Sequence, residues 1–454
     1  MVSVLKKVYN FSPIYLQHLL TSIKGYQLKK QRYNQLYYKY LNYFNSVDNL
    51  AREEEKQIKN LLIHLKYNIP FYKEYLKNIY DSDLTKKVLL ELPIITKEDL
   101  RKNINSLINI NHKKLFVTST GGTTGKSLNV YFDKEDNARR MAYLDYFKQQ
   151  HGVEPFSRRA SFTGKEIIPF KQKSDVYWRY NQSINQMLYS GFHVSEKNIP
   201  YYIKSLNKFK PKAIDGFPSS IYRIARFINL NNIKMGFQPT AIFPTAETLH
   251  DHYKLEIEKA FNCPVRNQYA SSEGAPFITE CTHGRLHFNI ETGYFNLKSY
   301  NEEQKLYELI VTSFLNYSTP IVQYQIGDIV EYNQEQAPCN CGNKAQYVEK
   351  ILGRQSDYLV SEKNGKISSA NMSNVYKDAP NSIIACQFVQ KEIDEITVNI
   401  VIDKTKFNGS DKKGIIQGLK YRFGDKIKIH FNFIDEIPKE KSGKTLFIKN
   451  LLQK

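Results

Sequence analysis

The stretch Thr118-Ser119-Thr120-Gly121-Gly122-Thr123-Thr124-Gly125-Lys126-Ser127 directly follows the apolar run 115–117. Adjacent glycines and small hydroxyl side chains let backbone N–H and O–H groups surround phosphate oxygens, and Lys126 adds a mobile positive charge. A Walker P-loop needs a glycine six residues before this lysine, but Thr120 stands there and Gly121 comes one residue too late. The stretch therefore predicts a phosphate-binding loop of another class, with a plain Gly/Thr turn between strands as the alternative.

The composition is that of a large globular protein. The chain has 454 residues, 41% hydrophobic and 24% charged, with 65 Lys+Arg against 45 Asp+Glu and a formal net charge of +20. These values exclude the disordered and fibrous classes, and the length predicts two or more domains. The abundant Lys, Ile and Asn are also typical of low-GC codon usage, which would account for part of the positive charge.

The sequence favours a cytoplasmic protein with reduced thiols. It contains no run of 18 apolar residues, and its start lacks the small-residue cleavage site of a signal peptide. Five cysteines are an odd number in a long chain, which argues against a disulfide framework.

Residues 1–75 predict a basic helical N-terminal region. The first 47 residues carry seven Lys/Arg and no acid. Apolar residues recur among them at helical spacing: Leu16, Leu19, Leu20 and Ile23. This pattern is typical of a basic amphipathic helix.

Residues 76–353 predict a large α/β domain. Thr96, followed by Asp99 three residues later, has the pattern of a helix N-cap and its capping-box acid. From about residue 115 to 353, short β-branched or aromatic runs alternate with helical patterns, which indicates helices layered around parallel strands.

The character of the sequence changes after Ile351–Val360. Two alternating apolar runs, Glu395–Asp403 and Lys426–Ile434, flank a helical pattern at 412–423. We therefore expect a small α+β C-terminal domain at 354–454. The predicted fold class is an α/β multidomain protein with layered sheets and helices in its large N-terminal domain.

Six segments in order along the chain resemble the motifs of the adenylate-forming superfamily of acyl-CoA synthetases and related ligases. The run STGGTTGKS (119–127) resembles its phosphate loop. The other five are IFPTAETL (242–249), similar to the adenine-binding segment; YASSEG (269–274) and YQIGDI (324–329), similar to two signature motifs; ILGRQSD (351–357), similar to the interdomain hinge; and PKEKSGK (438–444), similar to the catalytic-lysine loop.

Three further segments resemble the phenylacetate–CoA ligase branch, which also contains capsular polysaccharide biosynthesis ligases and coenzyme F390 synthetase-like proteins. They are NIPFY (68–72), LPIITKEDLR (92–101) and CNCG (339–342). The resemblance covers roughly residues 60 to 450. It implies a large AMP-binding domain and a mobile C-terminal domain that carries the catalytic lysine.

The resemblance implies ATP as a substrate and Mg²⁺ as a cofactor. A carboxylate that attacks the α-phosphate of ATP builds up negative charge while pyrophosphate leaves, so the site needs cations and hydrogen-bond donors. Lys444 would reach the carboxylate and the α-phosphate, and Glu273 would hold Mg²⁺. The implied ATP-binding residues are Ser119, Thr120, Gly121, Gly122, Thr123, Thr124, Gly125, Lys126, Ala246, Glu247, Thr248, Tyr269, Ser271, Ser272, Asp328 and Arg354.

Several of these residues have a structural interpretation when each is read alone. A glutamate after two serines commonly begins a helix, and Gly-Asp after a strand commonly forms a turn. Lys444 lies among several other lysines, as a solvated side chain would. The sequence also departs from the family pattern, because Ala270 replaces a usual glycine and either Ser356 or Asp357 would be the hinge residue.

Cysteines and histidines in two segments predict a metal site, with free thiols in turns as the alternative. Cys339-x-Cys341 can place two thiolates on one ion, and ECTHGRLHFN supplies Cys281 with His283 or His287. In the phenylacetate–CoA ligase branch the corresponding stretches resemble a structural Zn²⁺ site. We prefer His287 to His283 because it lies in the strand-like LHFNI.

The acid substrate is not identified by the sequence. The segment 210–225 resembles the family segment that lines the acid pocket, with Ser219 and Ser220 near it. Trp178, the only tryptophan, is either a pocket wall or a core residue.

We therefore expect an AMP-forming ligase that activates a carboxylate as an acyl-adenylate and transfers the acyl group to CoA, an amine or a sugar. The basic residues 1–47 favour capsular or surface polysaccharide biosynthesis, with a peripheral contact to an anionic membrane at its inner face. Alternatives are a phenylacetate–CoA ligase-type synthetase and an F390 synthetase-like adenylyltransferase. A basic nucleic-acid-binding protein is a remote alternative, because the sequence shows no recognised nucleic-acid-binding module.

Overall fold

The computed structural model describes residues 8–47, 49–109, 115–119, 128–169, 172, 174–354, 358–368, 372, 375, 382–440 and 443–452. The chain divides into two compact units. Unit 1 contains Met1–Ser157, Tyr180–Gln186 and Arg266–Ile351, and unit 2 contains Arg158–Arg179, Met187–Val265 and Leu352–Lys454. The domain boundaries expected after residues 75 and 353 stay a prediction.

The helices begin near the N-terminus and continue into both units. They are α1 Ile14–Arg32, α2 Gln35–Ser46, α3 Leu50–Asn68, α4 Pro70–Leu76, α5 Lys86–Glu91, α6 Lys97–Lys102, α7 Ile104–Leu107, α8 Lys134–Gln149, α9 Ile199–Phe209, α10 Pro218–Leu230, α11 Asp251–Phe261 and α12 Gly409–Phe423. None of these described helices has the length and apolarity needed to cross a lipid bilayer.

The strands form several small sheets. They are β1 Phe116–Ser119, β2 Asn129–Phe132, β3 Arg159–Thr163, β4 Trp178–Asn181, β5 Gln186–Ser190, β6 Ala213–Gly216, β7 Ala241–Pro244, β8 Gln268–Tyr269, β9 Ile278–Glu280, β10 Leu286–Phe288, β11 Gly293–Asn301, β12 Leu306–Ser313, β13 Tyr324–Glu331, β14 Tyr347–Val348, β15 Lys350–Arg354, β16 Tyr358–Ser361, β17 Gly365–Ser368, β18 Ile383–Gln390, β19 Glu395–Ile402, β20 Lys428–Phe433 and β21 Ile448–Asn450.

Unit 1 is built on antiparallel sheets. Their strand orders are β14-β10-β9-β8 and β11-β12-β13-β15, and β1 and β2 form a separate antiparallel pair. The expectation of parallel strands is wrong for β12 and β13, which pair antiparallel. Only residues 314–323 connect these two strands, and a parallel pair needs a longer crossover. Buried leucines and isoleucines of α3, spaced at one helical face, complete the core of unit 1.

Unit 2 contains the expected α/β layer. Its five-stranded sheet has the order β4-β5-β3-β6-β7, and β3, β6 and β7 are parallel. The helix α10 connects β6 to β7, and its apolar face is buried in the core. This is the right length of connection for a parallel pair.

The C-terminal part of unit 2 confirms the predicted α+β pattern. The two apolar runs form β19 and β20, and the helical pattern between them forms α12. The sheet order is β20-β19-β18-β21, with α12 supplying Ile415, Leu419 and Phe423 to a separate buried cluster. The layered α/β fold class is therefore confirmed.

The described part of residues 8–75 is mostly helical, in α1 to α4. Helix α2 packs against α8 and buries Tyr37 and Phe44. The Tyr37 hydroxyl donates a hydrogen bond to Asp145 at 3.1 Å, and burial raises the pKa of Tyr37. In α1, Leu19 and Ile23 are exposed.

Two capping boxes start helices in unit 1. The Thr96–Asp99 box predicted from the sequence begins α6, where both reciprocal hydrogen bonds are present. A second box, Asp133–Asp136, begins α8. Asp136 also accepts hydrogen bonds from the backbone N–H groups of Tyr317 at 2.8 Å and Ser318 at 3.2 Å, and only 1% of it is exposed.

Replacing Asp136 with alanine should destabilise unit 1 more than the matched change Asp99→Ala. Asp136→Ala removes a cap and leaves two buried N–H groups without their carboxylate, which costs about 3 kcal/mol. The half-buried Asp99 contributes only its cap, about 1 kcal/mol. Urea unfolding followed by circular dichroism measures both, and equal losses would contradict this account of Asp136.

Candidate functional site

The glycine-rich stretch lies mostly outside the described residues. Its first residues, Thr118 and Ser119, end β1, and Ser119 pairs with Asn129 of β2. The strand expected before the loop is therefore present. The predicted ATP-binding residues Thr120 to Lys126, and the side chain of Ser119, lie outside the description.

The YASSEG segment forms a tight turn beside β2. Gly274 has φ +91°, and a Cβ at this position would lie 3.2 Å from the ring of Phe132 in β2. The Arg140 guanidinium donates to the carbonyl of Ser271 at 2.6 Å, and Ser313 donates to the carbonyl of Gly274 at 2.6 Å. The turn is thus bonded to α8 and β12, and its glycine lies against β2, the strand that follows the glycine-rich stretch.

Glu273 is a buried carboxylate with two cations near it. Only 2% of it is exposed, and its Oε1 lies 4.0 Å from Lys97 Nζ. Burial lowers the pKa of Arg140 to about 10, while the charge of Glu273 opposes this shift. Ser272, next to it, is exposed. The sequence did not predict a role for Arg140 or Lys97. Arg140 lies outside the quoted motifs, and the segment 92–101, which contains Lys97, implies no role for that lysine.

The two signature motifs of unit 1 meet through one short hydrogen bond. The Tyr269 hydroxyl, at the end of β8, donates to Asp328 Oδ2 of β13 at 2.5 Å. Asp328 is buried. The bond fixes the carboxylate in one orientation.

Glu247 connects two distant segments of unit 2. It lies in the turn after β7, where Ala246 adopts the left-handed φ of +72°. One carboxylate oxygen accepts from the N–H of Ser219 at 3.1 Å, and the other accepts from the N–H of Thr445 at 3.1 Å. Burial raises the pKa of Glu247, although these hydrogen bonds and the charge of Lys444 oppose the shift.

Lys444 lies in a tight loop that is anchored on both sides. Gly443 has φ +82°, and a Cβ there would lie 2.6 Å from the Cα of Gly164. Lys439 and Thr445 form an antiparallel bridge across the loop. The ammonium group of Lys439 donates to the carbonyls of Gly191 and Phe192, both at 2.9 Å.

Burial lowers the pKa of Lys439, while the nearby Glu436 opposes this shift. The glutamate Oε1 lies 2.9 Å from the Lys439 Nζ. The anchoring role of Lys439 has no signal in the sequence, where it is one lysine among several.

The structure also places several of the remaining predicted residues. Arg354 ends β15 and Thr248 follows Glu247, and both are half-buried. The hinge candidates Ser356 and Asp357 lie outside the described residues. Trp178 is half-buried against the core of unit 2, and its ring centroid lies 6.0 Å from that of Tyr189.

The fold brings Cys281, His287, Cys339 and Cys341 together in unit 1. All four ligand atoms lie within 4.8 Å of one another. The sulfurs of Cys281 and Cys339 are 3.7 Å apart, and the sulfur of Cys341 lies 3.5 Å from His287 Nε2. Three thiols and one imidazole at this spacing fit a closed tetrahedral zinc site.

The orientation of His287 suits a metal ligand. Its Nδ1 lies 2.7 Å from the carbonyl oxygen of Ala345, so this nitrogen donates and Nε2 faces the cysteines as an acceptor. His283 is exposed, and its Nδ1 lies 3.2 Å from the hydroxyl of Thr282, outside the cluster.

Comparison with known proteins matches this chain over almost its whole length. Protein CapK of Staphylococcus aureus is 44% identical over 453 residues, which cover 98% of this chain and 99% of that protein. The family model described as the CapK C-terminal domain matches residues 359–451.

Solved structures with low sequence identity share the fold. The 2-hydroxyisobutyryl-CoA ligase in its postadenylation state, in complex with 2-HIB-AMP, is 14% identical with a TM-score of 0.66, covering 87% of this chain and 88% of that one. The GH3.15 acyl acid amido synthetase is 13% identical with a TM-score of 0.54, covering 85% of this chain and 86% of that one.

The resemblance to adenylate-forming ligases predicted from the sequence is thus confirmed at the level of the fold. The chain belongs to the family of Protein CapK and has the fold of the adenylate-forming ligases.

Proposed function

We propose that this protein is an ATP-dependent, AMP-forming ligase that activates a carboxylate as an acyl-adenylate and transfers the acyl group to an acceptor. The observation that carries the proposal is the hydrogen bond from Thr445 to Glu247. It joins the segment that resembles the catalytic-lysine loop to the segment that resembles the adenine-binding stretch. If the two resemblances were due to chance, there would be no reason for the two segments to lie in contact.

In the proposed first step, a carboxylate oxygen of the substrate attacks the α-phosphorus of ATP. A new O–P bond forms, the bond to the bridging oxygen breaks, and pyrophosphate leaves with the electron pair. Lys444 stabilises the charge that develops on the carboxylate and α-phosphate oxygens. Ser272, exposed beside the buried Glu273, donates to the α-phosphate, and Asp328 and Arg354 bind the ribose.

Glu273 is proposed to hold Mg²⁺, and this residue fits such a role. A carboxylate oxygen is a ligand that Mg²⁺ prefers, and a single carboxylate suits an ion that takes its other ligands from phosphate and water. When bound, Mg²⁺ neutralises phosphate charge. The cationic side chains of Lys97 and Arg140 lie near the buried Glu273 carboxylate.

In the proposed second step, a nucleophile of the acceptor attacks the acyl carbonyl, loses its proton and displaces AMP. The acceptor class is a CoA thiol, an amine or a sugar hydroxyl. The match to Protein CapK along the whole chain supports a role in capsular or surface polysaccharide biosynthesis, and hence a sugar or amino-sugar acceptor. Cytoplasmic location and contact of residues 1–47 with an anionic membrane belong to the same proposal.

We also propose that Cys281, His287, Cys339 and Cys341 bind a structural Zn²⁺. Each supplies one of the four ligand atoms, so no position is left for substrate. The ion would connect the turn at Cys339–Gly342 to β10, since His287 lies in that strand.

The proposed reaction is tested by ATP–pyrophosphate exchange with a panel of carboxylates that includes amino acids and uronic acids. We expect exchange to depend on a carboxylate, because only its attack releases pyrophosphate reversibly. If exchange required a phenolic compound instead of a carboxylate, the protein would be an adenylyltransferase of the F390 synthetase type. No exchange with any carboxylate in the panel would contradict the proposal.

Lys444→Ala should slow acyl-adenylate formation by about 100-fold or more, because the lysine acts on charge that develops in that step. Transfer from a supplied acyl-adenylate should change by less than about threefold. Lys449→Ala is the matched control, since this half-buried lysine lies five residues further along and should leave both steps unchanged. Equal loss in both steps would remove the assigned role from Lys444.

Purified protein should contain about one equivalent of zinc. Cys341→Ser should lose the metal and lower the melting temperature by about 5 °C or more, because a structural zinc site stabilises the folded chain. The control is Cys386→Ser, a buried cysteine outside the cluster, which should keep the metal. A wild-type protein that is metal-free, and as stable after chelation as before, would show that the four residues are free thiols.

A further inference from the structure

Helix α1 binds the rest of unit 1 through a polar face. His18 Nδ1 accepts a hydrogen bond from the N–H of Tyr180 at 2.8 Å. The hydroxyl of Ser22 lies 3.2 Å from both the carbonyl oxygen of Tyr180 and the N–H of Gln182. At Gly25 the contact is closest, since a Cβ there would lie 2.0 Å from Asn181 Oδ1. Polar and small residues thus fix which side of α1 faces inward.

The outer face of α1 is apolar. Its large side chains at spacings of three or four residues have exposed fractions between 48% and 76%: Tyr15, Leu19, Ile23 and Tyr26. Val8 and Phe11, which precede the helix, are also exposed. This is the reverse of an ordinary surface helix, whose apolar stripe faces the core. Single exposed apolar residues are common, but a continuous stripe marks a binding surface.

The segment that carries this stripe is basic, since residues 1–47 contain seven Lys/Arg and no Asp or Glu. Residues 1–47 have a charge of +7. Lys24 and Lys30 are exposed on α1, and Lys30 Nζ lies 4.7 Å from the ring centroid of Tyr26. Basic residues also fill the last turn of the helix. The combination of an apolar stripe, tyrosines and lysines is typical of helices that lie in the membrane interface.

The positive charge of residues 1–47 favours an anionic bilayer over a second copy of this chain as the partner of this face. Two copies of this face would place two +7 segments against each other, so repulsion disfavours self-association. An anionic bilayer offers both an apolar layer for the stripe and negative headgroups for the lysines. Docking requires no unfolding, because the polar face of α1 already satisfies its contacts with residues 180–182.

We propose that α1 docks flat on an anionic lipid surface, with Tyr15, Leu19, Ile23 and Tyr26 inserted among the acyl chains and the lysines at the headgroups. The inference rests on the membrane contact within the proposed function and deepens it by naming the binding face. It does not depend on the adenylation chemistry.

The test uses the full chain and co-sedimentation with vesicles of phosphatidylcholine containing about 30% phosphatidylglycerol. Wild type should bind these vesicles, bind pure phosphatidylcholine at least tenfold more weakly, and dissociate as salt rises. The double variant Leu19→Glu/Ile23→Glu should bind at least tenfold more weakly than wild type. The matched control Leu255→Glu changes a leucine of unit 2 that is 68% exposed, and should bind as wild type does.

A second variant separates charge from apolar contact. Lys24→Gln/Lys30→Gln keeps the stripe and should lose several-fold in binding to anionic vesicles only. Circular dichroism and pyrophosphate exchange in solution should be unchanged in every variant, so a failed ligase proposal is distinguishable from a failed docking proposal.

Three outcomes would overturn the docking proposal. One is wild type that does not bind anionic vesicles. Another is a double variant that binds as well as wild type. The third is a wild-type dimer, seen by sedimentation velocity, that the double variant loses, which would assign the face to a second copy.

Discussion

The carboxylate of Glu247 is the group on which the arrangement of the candidate catalytic loop depends. Its two oxygens accept from backbone N–H groups that lie 28 and 198 residues away along the chain. Burial makes an ionised carboxylate costly unless such donors satisfy it. The loop at Lys444 therefore stabilises Glu247, and Glu247 in turn fixes the loop. This mutual dependence matters because a misplacement of about 1 Å can cost a reaction about 100-fold.

The sequence predicted what depends on local pattern and on ordered motifs. The capping box at Thr96 and Asp99, and the strand–helix–strand order of β19, α12 and β20, follow from the spacing of polar and apolar residues, and both are present. The motifs indicated the fold because six segments in the expected order along the chain are improbable by chance, although each segment is weak evidence alone. Strand direction in unit 1 was predicted wrongly, since a strand pattern does not reveal its partner.

Contacts between distant segments could not be predicted. Arg140 beside Glu273, and Lys439 on the carbonyls of Gly191 and Phe192, depend on how elements pack after they form. The same limit explains α1. Its periodicity shows which residues share a face, but only the contacts of Ser22 and Gly25 with residues 180–182 show which face is covered. The apolar stripe of a helix is normally the side that is buried in the core. In α1 the apolar stripe is instead the exposed side.

The outward face of α1 and the proposed ligase chemistry together restrict the acceptor. ATP is a water-soluble reactant, and binding to a bilayer gives no advantage in collecting it. A reactant attached to a lipid is different, because confinement of both partners to one surface raises their effective concentration without any new contact at the active site. If α1 docks on an anionic bilayer as proposed, that benefit would apply to the proposed second step, in which the acceptor meets the acyl-adenylate. A membrane-linked sugar or amine fits this requirement better than free CoA, which, like ATP, is collected from water.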